Sequence, residues 1–141
     1  MAANTAPIFS IAGDPQWTNA GAMTTANTTK DLTSGTSYLA YMAPAEGGFL
    51  QRIRFRPLGT NSNATVARVW INNGAATTSA GNNTLFDEIT LTATTNSETG
   101  AQSTFELPLN FALPSGYRIY ITLGTAPTSA GWNATVIAGK Y

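Results

Sequence analysis

The chain predicts an all-β fold: a single-domain antiparallel β-sandwich of about eight strands, preceded by an extended N-terminal arm. Three observations predict it. Apolar and polar residues alternate in several runs, and a period of two places them on opposite faces of a strand. Clusters of Asn, Gly and Pro punctuate those runs at short intervals. No segment carries the apolar spacing of an amphipathic helix. A length of 141 residues suits one domain. A jelly roll is one arrangement that this strand count allows.

The arm spans residues 1–13 and the sandwich domain residues 14–141. Pro7 drives its predecessor toward extended backbone, and Ile8, Phe9 and Ile11 then become docking anchors. Gly13-Asp14-Pro15 reads as a turn. A weak strand covers Trp17 to Thr25, and Asn27 to Gly35 is a polar loop. Ser37 to Ala43 is a short apolar strand that stops at Pro44. In Phe49 to Arg56, Phe49, Gln51, Ile53 and Phe55 share one parity, and Leu50, Arg52, Arg54 and Arg56 share the other. The next strand, Thr65 to Ile71, ends at Asn72-Asn73-Gly74, and a wide loop follows. Leu85, Asp87, Ile89 and Leu91 then alternate with Phe86, Glu88, Thr90 and Thr92. Phe105, Leu107, Leu109, Phe111 and Leu113 keep one parity. Pro108 and Pro114 are interspersed, and proline removes a ladder donor, so the segment is edge-like or partly irregular. Tyr117 to Leu123 and Trp132 to Ala138 complete the set.

Composition excludes much chemistry. The chain has no histidine, no cysteine, seven acidic and seven basic residues, and zero formal net charge. Disulfides, thiolate nucleophiles and the usual zinc ligands are ruled out. A Ser-His-Asp triad cannot be assembled. A Ser–Lys pair is formally open, but Lys30 and Lys140 sit in no motif. No acidic run has calcium-loop spacing. The expectation is a non-enzymatic protein with no cofactor and no metal. Zero net charge gives no global field for nucleic acid or an anionic membrane, and no stretch has the length of a membrane helix. The N-terminus lacks the basic start and apolar run of a signal peptide. Charged residues make up only 10% of the chain. So little charge favours association, so an assembled life is expected.

The sharpest local feature is the ladder Arg52, Arg54 and Arg56. Three cations on one strand face repel unless acids lie opposite. Glu88 and Glu106 are the candidate partners, with Arg68 and Arg118 as further members. Three readings stay open: a solvated face with cross-strand ion pairs, an interface stripe that meets an acidic partner, or a nucleic-acid contact, which zero net charge and the lack of an RNA-module motif disfavour. Asp87 and Glu88 are adjacent, so alternation sends them to opposite faces and they form no acid/base pair. Trp17, Trp70 and Trp132 fit either a core or interface, or a sugar-stacking platform. Asn27, Asn63, Asn82 and Asn133 each begin an Asn-Xaa-Thr triplet, a frequent chance match in a chain this rich in Asn and Thr.

The C-terminal third carries a resemblance. Phe105-Glu106-Leu107-Pro108-Leu109, Leu113-Pro114-Ser115-Gly116-Tyr117-Arg118-Ile119, Gly131-Trp132-Asn133-Ala134-Thr135-Val136 and Gly139-Lys140-Tyr141 form its cadence. It resembles small virion structural proteins of tailed bacteriophages, particularly capsid decoration (cement) proteins. The resemblance covers about a third of the chain. It implies a protein bound to the capsid exterior, assembled in the host cytoplasm, with the major capsid protein as partner. It also implies a homo-oligomer, with a trimer favoured, that braces the shell. Closed symmetry repeats one patch at each subunit boundary, and an extended arm can add a strand to a neighbour's edge. The alternative is a carbohydrate-binding or receptor-binding module of a tail fibre or adhesin.

Overall fold

The computed structural model describes residues 9–19 and 21–141. Among them, nine strands form two antiparallel sheets: β1 (Ala12–Gly13), β2 (Gln16–Trp17), β3 (Tyr38–Met42), β4 (Gly48–Pro57), β5 (Thr65–Asn72), β6 (Asn83–Leu91), β7 (Phe105–Leu113), β8 (Arg118–Leu123) and β9 (Trp132–Lys140). The first sheet runs β1-β9-β4-β7, with β2 also paired to β9, and the second runs β3-β8-β5-β6. From β2 onward every connection crosses between sheets except β5 to β6. The architecture is the all-β sandwich that the alternating pattern predicts. The weak strand expected over Trp17 to Thr25 shrinks to β2, followed by a single bridge from Met23 to Trp132.

The core lies between the sheets. Leu50, Ile53 and Phe55 of β4 and Trp132 and Val136 of β9 face Val69, Ile119, Ile121 and Leu123, and all of these belong to one buried cluster. Fully burying such a side chain is worth about 1.5–3 kcal/mol. The inward set on β7 is Phe105, Leu107, Leu109, Phe111 and Leu113, as its parity predicts. That strand is an edge of the first sheet, as Pro108 implies.

Two bulges overturn the simple parity elsewhere. In β4 the register slips between Leu50 and Arg52, so Gln51 is an extra residue against β9. An inserted residue reverses which side faces the core. Leu50 therefore points inward with Ile53 and Phe55, while Phe49 turns to solvent. In β6, Val69 and Trp70 face Asp87 and Leu85, leaving Phe86 unpaired. Leu85 sits beside Trp70, and Phe86 packs against Phe111 with ring centroids 4.9 Å apart.

The strand β5 is buried on both faces. On its outer side Arg68 lies beneath the loop between β2 and β3, and Trp70 is buried with its indole N–H donating to Thr122 Oγ1. Arg68 Nη1 donates to Asn27 O, and Asn83 Nδ2 donates to Asp31 O. Leu32 is buried in that loop despite a left-handed φ of 63°. Asn27 is consumed by the loop itself: its amide donates to Ser34 O and Thr36 O, and its Oδ1 accepts from Thr29. That asparagine is no accessible acceptor for a sugar. Among the described residues no helix is long and apolar enough to cross a membrane.

Candidate docking face

Past the β4 bulge, Ile53 and Phe55 turn into the core, so Arg52, Arg54 and Arg56 all project from the outer face of the first sheet. The strand register arranges this face in rows. Trp17, Thr135, Arg54 and Glu106 stand side by side across β2, β9, β4 and β7. Gly13, Gly139, Phe49 and Ala112 form another row. Gly139 and Ala112 flank Phe49 in that second row, and Phe49 is 37% exposed.

One carboxylate serves two guanidiniums on this face. Arg54 Nε donates to Glu106 Oε1 at 2.7 Å, and Arg52 Nε lies 3.5 Å from the same oxygen. Among the described residues, the buried Arg52 Nε has no hydrogen-bond partner. Arg56 Nη1 donates to Gln102 O at 2.9 Å and also to Thr104 Oγ1. Exposed pairs of this kind stabilise a fold by about 0–1 kcal/mol each. The three arginines and Glu106 leave this face at +2, while the whole chain is neutral.

Of the expected partners, Glu106 serves the ladder and Glu88 does not. Glu88 accepts from Arg68 Nε at 2.7 Å on the second sheet. Arg118 pairs in register with Asn72, also on the second sheet. Arg68 and Arg118 are therefore no part of the ladder, because β5 and β8 belong to the other layer. Asp87 and Glu88 do diverge: Asp87 stands in register with Val69, and Glu88 with Arg68.

The end of the arm reaches the same face. Ile11 N–H donates to Lys140 O and Asp14 N–H to Ala138 O, both at 2.8 Å, so among the described residues backbone pairing along β9 begins at Ile11. Ser10 crosses directly over Gly139, where a Cβ would approach Ser10 Oγ to 2.5 Å. Ser10, Ile11, Phe49, Gln51 and Ile137 line a common groove. Phe9 and Ile11 are 76% and 83% exposed. Ile8, the third expected anchor, lies outside the described residues.

Asp14 fastens the turn behind the arm. Its Oδ2 accepts from the Tyr41 hydroxyl and from Gln16 Nε2, each at 3.0 Å. Burial, followed by the bond to the neighbouring Asp14 carboxylate and its charge, pushes the Tyr41 hydroxyl well above the ordinary tyrosine range.

Two residues of this face escape a reading by parity. Phe49 is assigned inward if β4 alternates without interruption. Trp17 is 61% exposed, whereas Trp70 and Trp132 are buried. A platform of three coplanar tryptophans is therefore not formed. Among the described residues, no group of three or more acidic, His or Cys side chains is placed to hold a metal. No protein-family model matches the chain, and no curated protein matches it.

Proposed function

We propose that this chain is a phage-type capsid decoration protein, which binds the outside of a shell and braces it without catalysing a reaction. The observation that carries the reading is the outer face of the first sheet. There an unbalanced arginine ladder, exposed Phe49 and Trp17, and the exposed arm residues Phe9 and Ile11 form one continuous surface. Aromatic and arginine side chains are the residue types that dominate binding energy at protein interfaces. We read the strand order, with its repeated crossings between two sheets, as a jelly roll. The major capsid protein is the partner in this reading, and a homotrimer presents the face several times at once. Weak contacts then combine through effective concentration.

The test is co-sedimentation with empty shells of the phage concerned. Removing residues 1–10 stops short of the Ile11 pairing, so the domain keeps β1. Loss of co-sedimentation, in the truncated chain and in Arg54→Glu, is the expected result. Wild-type binding by both variants contradicts the reading. The carbohydrate-binding alternative rests on Trp17 alone and predicts saturable glycan binding that Trp17→Ala abolishes.

A further inference from the structure

Building on the docking-face reading above, we propose that the partner is an acidic protein segment lying flat on the first sheet, with a carboxylate seated between Arg52 and Arg54 beside Glu106. Charge stoichiometry is the first reason. A guanidinium offers five N–H donors in a fixed fork. Arg52 and Arg54 share a single carboxylate oxygen, and Arg52 Nε has no acceptor among the described residues. Arg52 Nε itself is buried, so a second carboxylate meets the guanidinium Nη groups and offsets the surplus charge.

The backbone makes room for it. Opposite Gln51 the strand β7 carries Leu109 and Asn110 between its paired residues, and Asn110 adopts a left-handed φ of 53°. The irregularity opens a groove lined by Gln51, Arg52, Glu106, Pro108 and Asn110. The Gln51 and Asn110 amides add neutral donors for an anion. Alternate residues on a strand lie about 7 Å apart. The ladder thus matches acids at every second position of an extended partner.

Protein fits better than nucleic acid. The chain as a whole has zero net charge, which gives no long-range attraction for a polyphosphate. Glu106 would also oppose a row of phosphates.

Docking on the face also follows from the state of the edges, because strand addition needs a clean edge. The Gln16 side chain caps β3, donating to Met42 O and accepting from Met42 N–H at 3.0 Å each. Edge strand β7 is interrupted by Pro108 and its bulge. On β6, Phe86 bulges and Asp87 Oδ1 accepts the Glu88 N–H at 2.7 Å. The remaining edge consists of the two-residue strands β1 and β2. A neighbour's arm therefore finds no long free ladder among the described strands.

The test is an NMR titration of the ¹⁵N-labelled full chain at low ionic strength. The probe is the blocked peptide acetyl-Glu-Leu-Glu-Leu-Glu-amide, and the control is its glutamine counterpart. The Arg52 and Arg54 Nε–H and Trp17 indole resonances should shift with the acidic peptide only. Arg52→Gln should weaken binding about tenfold. Glu106→Gln should tighten it several-fold, because the resident competitor loses its charge. Both variants change surface side chains, and retained spectral dispersion checks their fold. Unchanged or weaker binding by Glu106→Gln, shifts confined to other faces, or equal binding of the glutamine peptide overturns the proposal. Tighter binding of a single-stranded oligonucleotide at the same resonances overturns it in favour of nucleic acid. No shell enters this assay, so its outcome is independent of whether the chain decorates a capsid.

Discussion

Tyr41 illustrates how much a single buried hydroxyl does in a chain with so few ionisable groups. It reaches from the second sheet to Asp14, and Gly48 provides the space, since a Cβ there would overlap the hydroxyl. Its raised pKa means that the folded state keeps the proton above the ordinary value of 10.0, where the unfolded chain has lost it. The contribution is intact below that pH and falls as pH rises further. Urea melts should therefore show wild-type stability dropping as pH rises above about 10, with a shallower drop in Tyr41→Phe. Equal slopes would remove Tyr41 from the account. Leu32 makes the second prediction at this scale. Its left-handed backbone carries a strain of about 1–2 kcal/mol, which burial must offset. Leu32→Ala keeps the strain and loses the packing, so a loss of about 2–4 kcal/mol is expected in the same melts.

At the scale of elements, what the sequence reveals depends on whether period two is maintained. The inward faces of β7 and β8 follow from parity because their apolar sets keep period two, even across the irregularity of β7 opposite Gln51. The faces of β4 and β6 do not, because one extra residue in each reverses the pattern. Nothing in Phe49-Leu50-Gln51-Arg52 announces a bulge, since each of these residues is compatible with either side of a strand. The ladder survives the error because Arg52, Arg54 and Arg56 all lie past the slip, whereas Phe49 lies before it. The cover over β5 is illegible for a different reason: Arg68 is covered by a polar loop distant in sequence. Gly139 makes the elemental prediction. Gly139→Ala should displace Ser10 and weaken the Ile11 and Asp14 backbone bonds. Hydrogen exchange at those two amides should accelerate while core strands keep their protection. Unchanged exchange would mean that the arm is held by something other than its pairing with β9.

For the whole molecule, the decisive property is how a small number of charges is distributed. A neutral chain holds a face at +2, so its remaining surface carries the opposite balance. The absence of histidine and cysteine is plain in the sequence and removes the usual imidazole and thiolate chemistry. The assembly of Trp17, Phe49 and the ladder into one surface is not plain there, because β2, β4, β7 and β9 meet only through the sheet register. Electrostatic complementarity chiefly sets specificity and association rate, so binding through this face should weaken as salt screens it. The most direct test of the central claim is co-sedimentation of the full chain with empty shells, comparing wild type with Arg54→Glu at low and high salt. Saturable binding that falls with salt and is lost in Arg54→Glu is the predicted result. Salt-independent binding that Arg54→Glu leaves intact would contradict the claim that this face holds the partner.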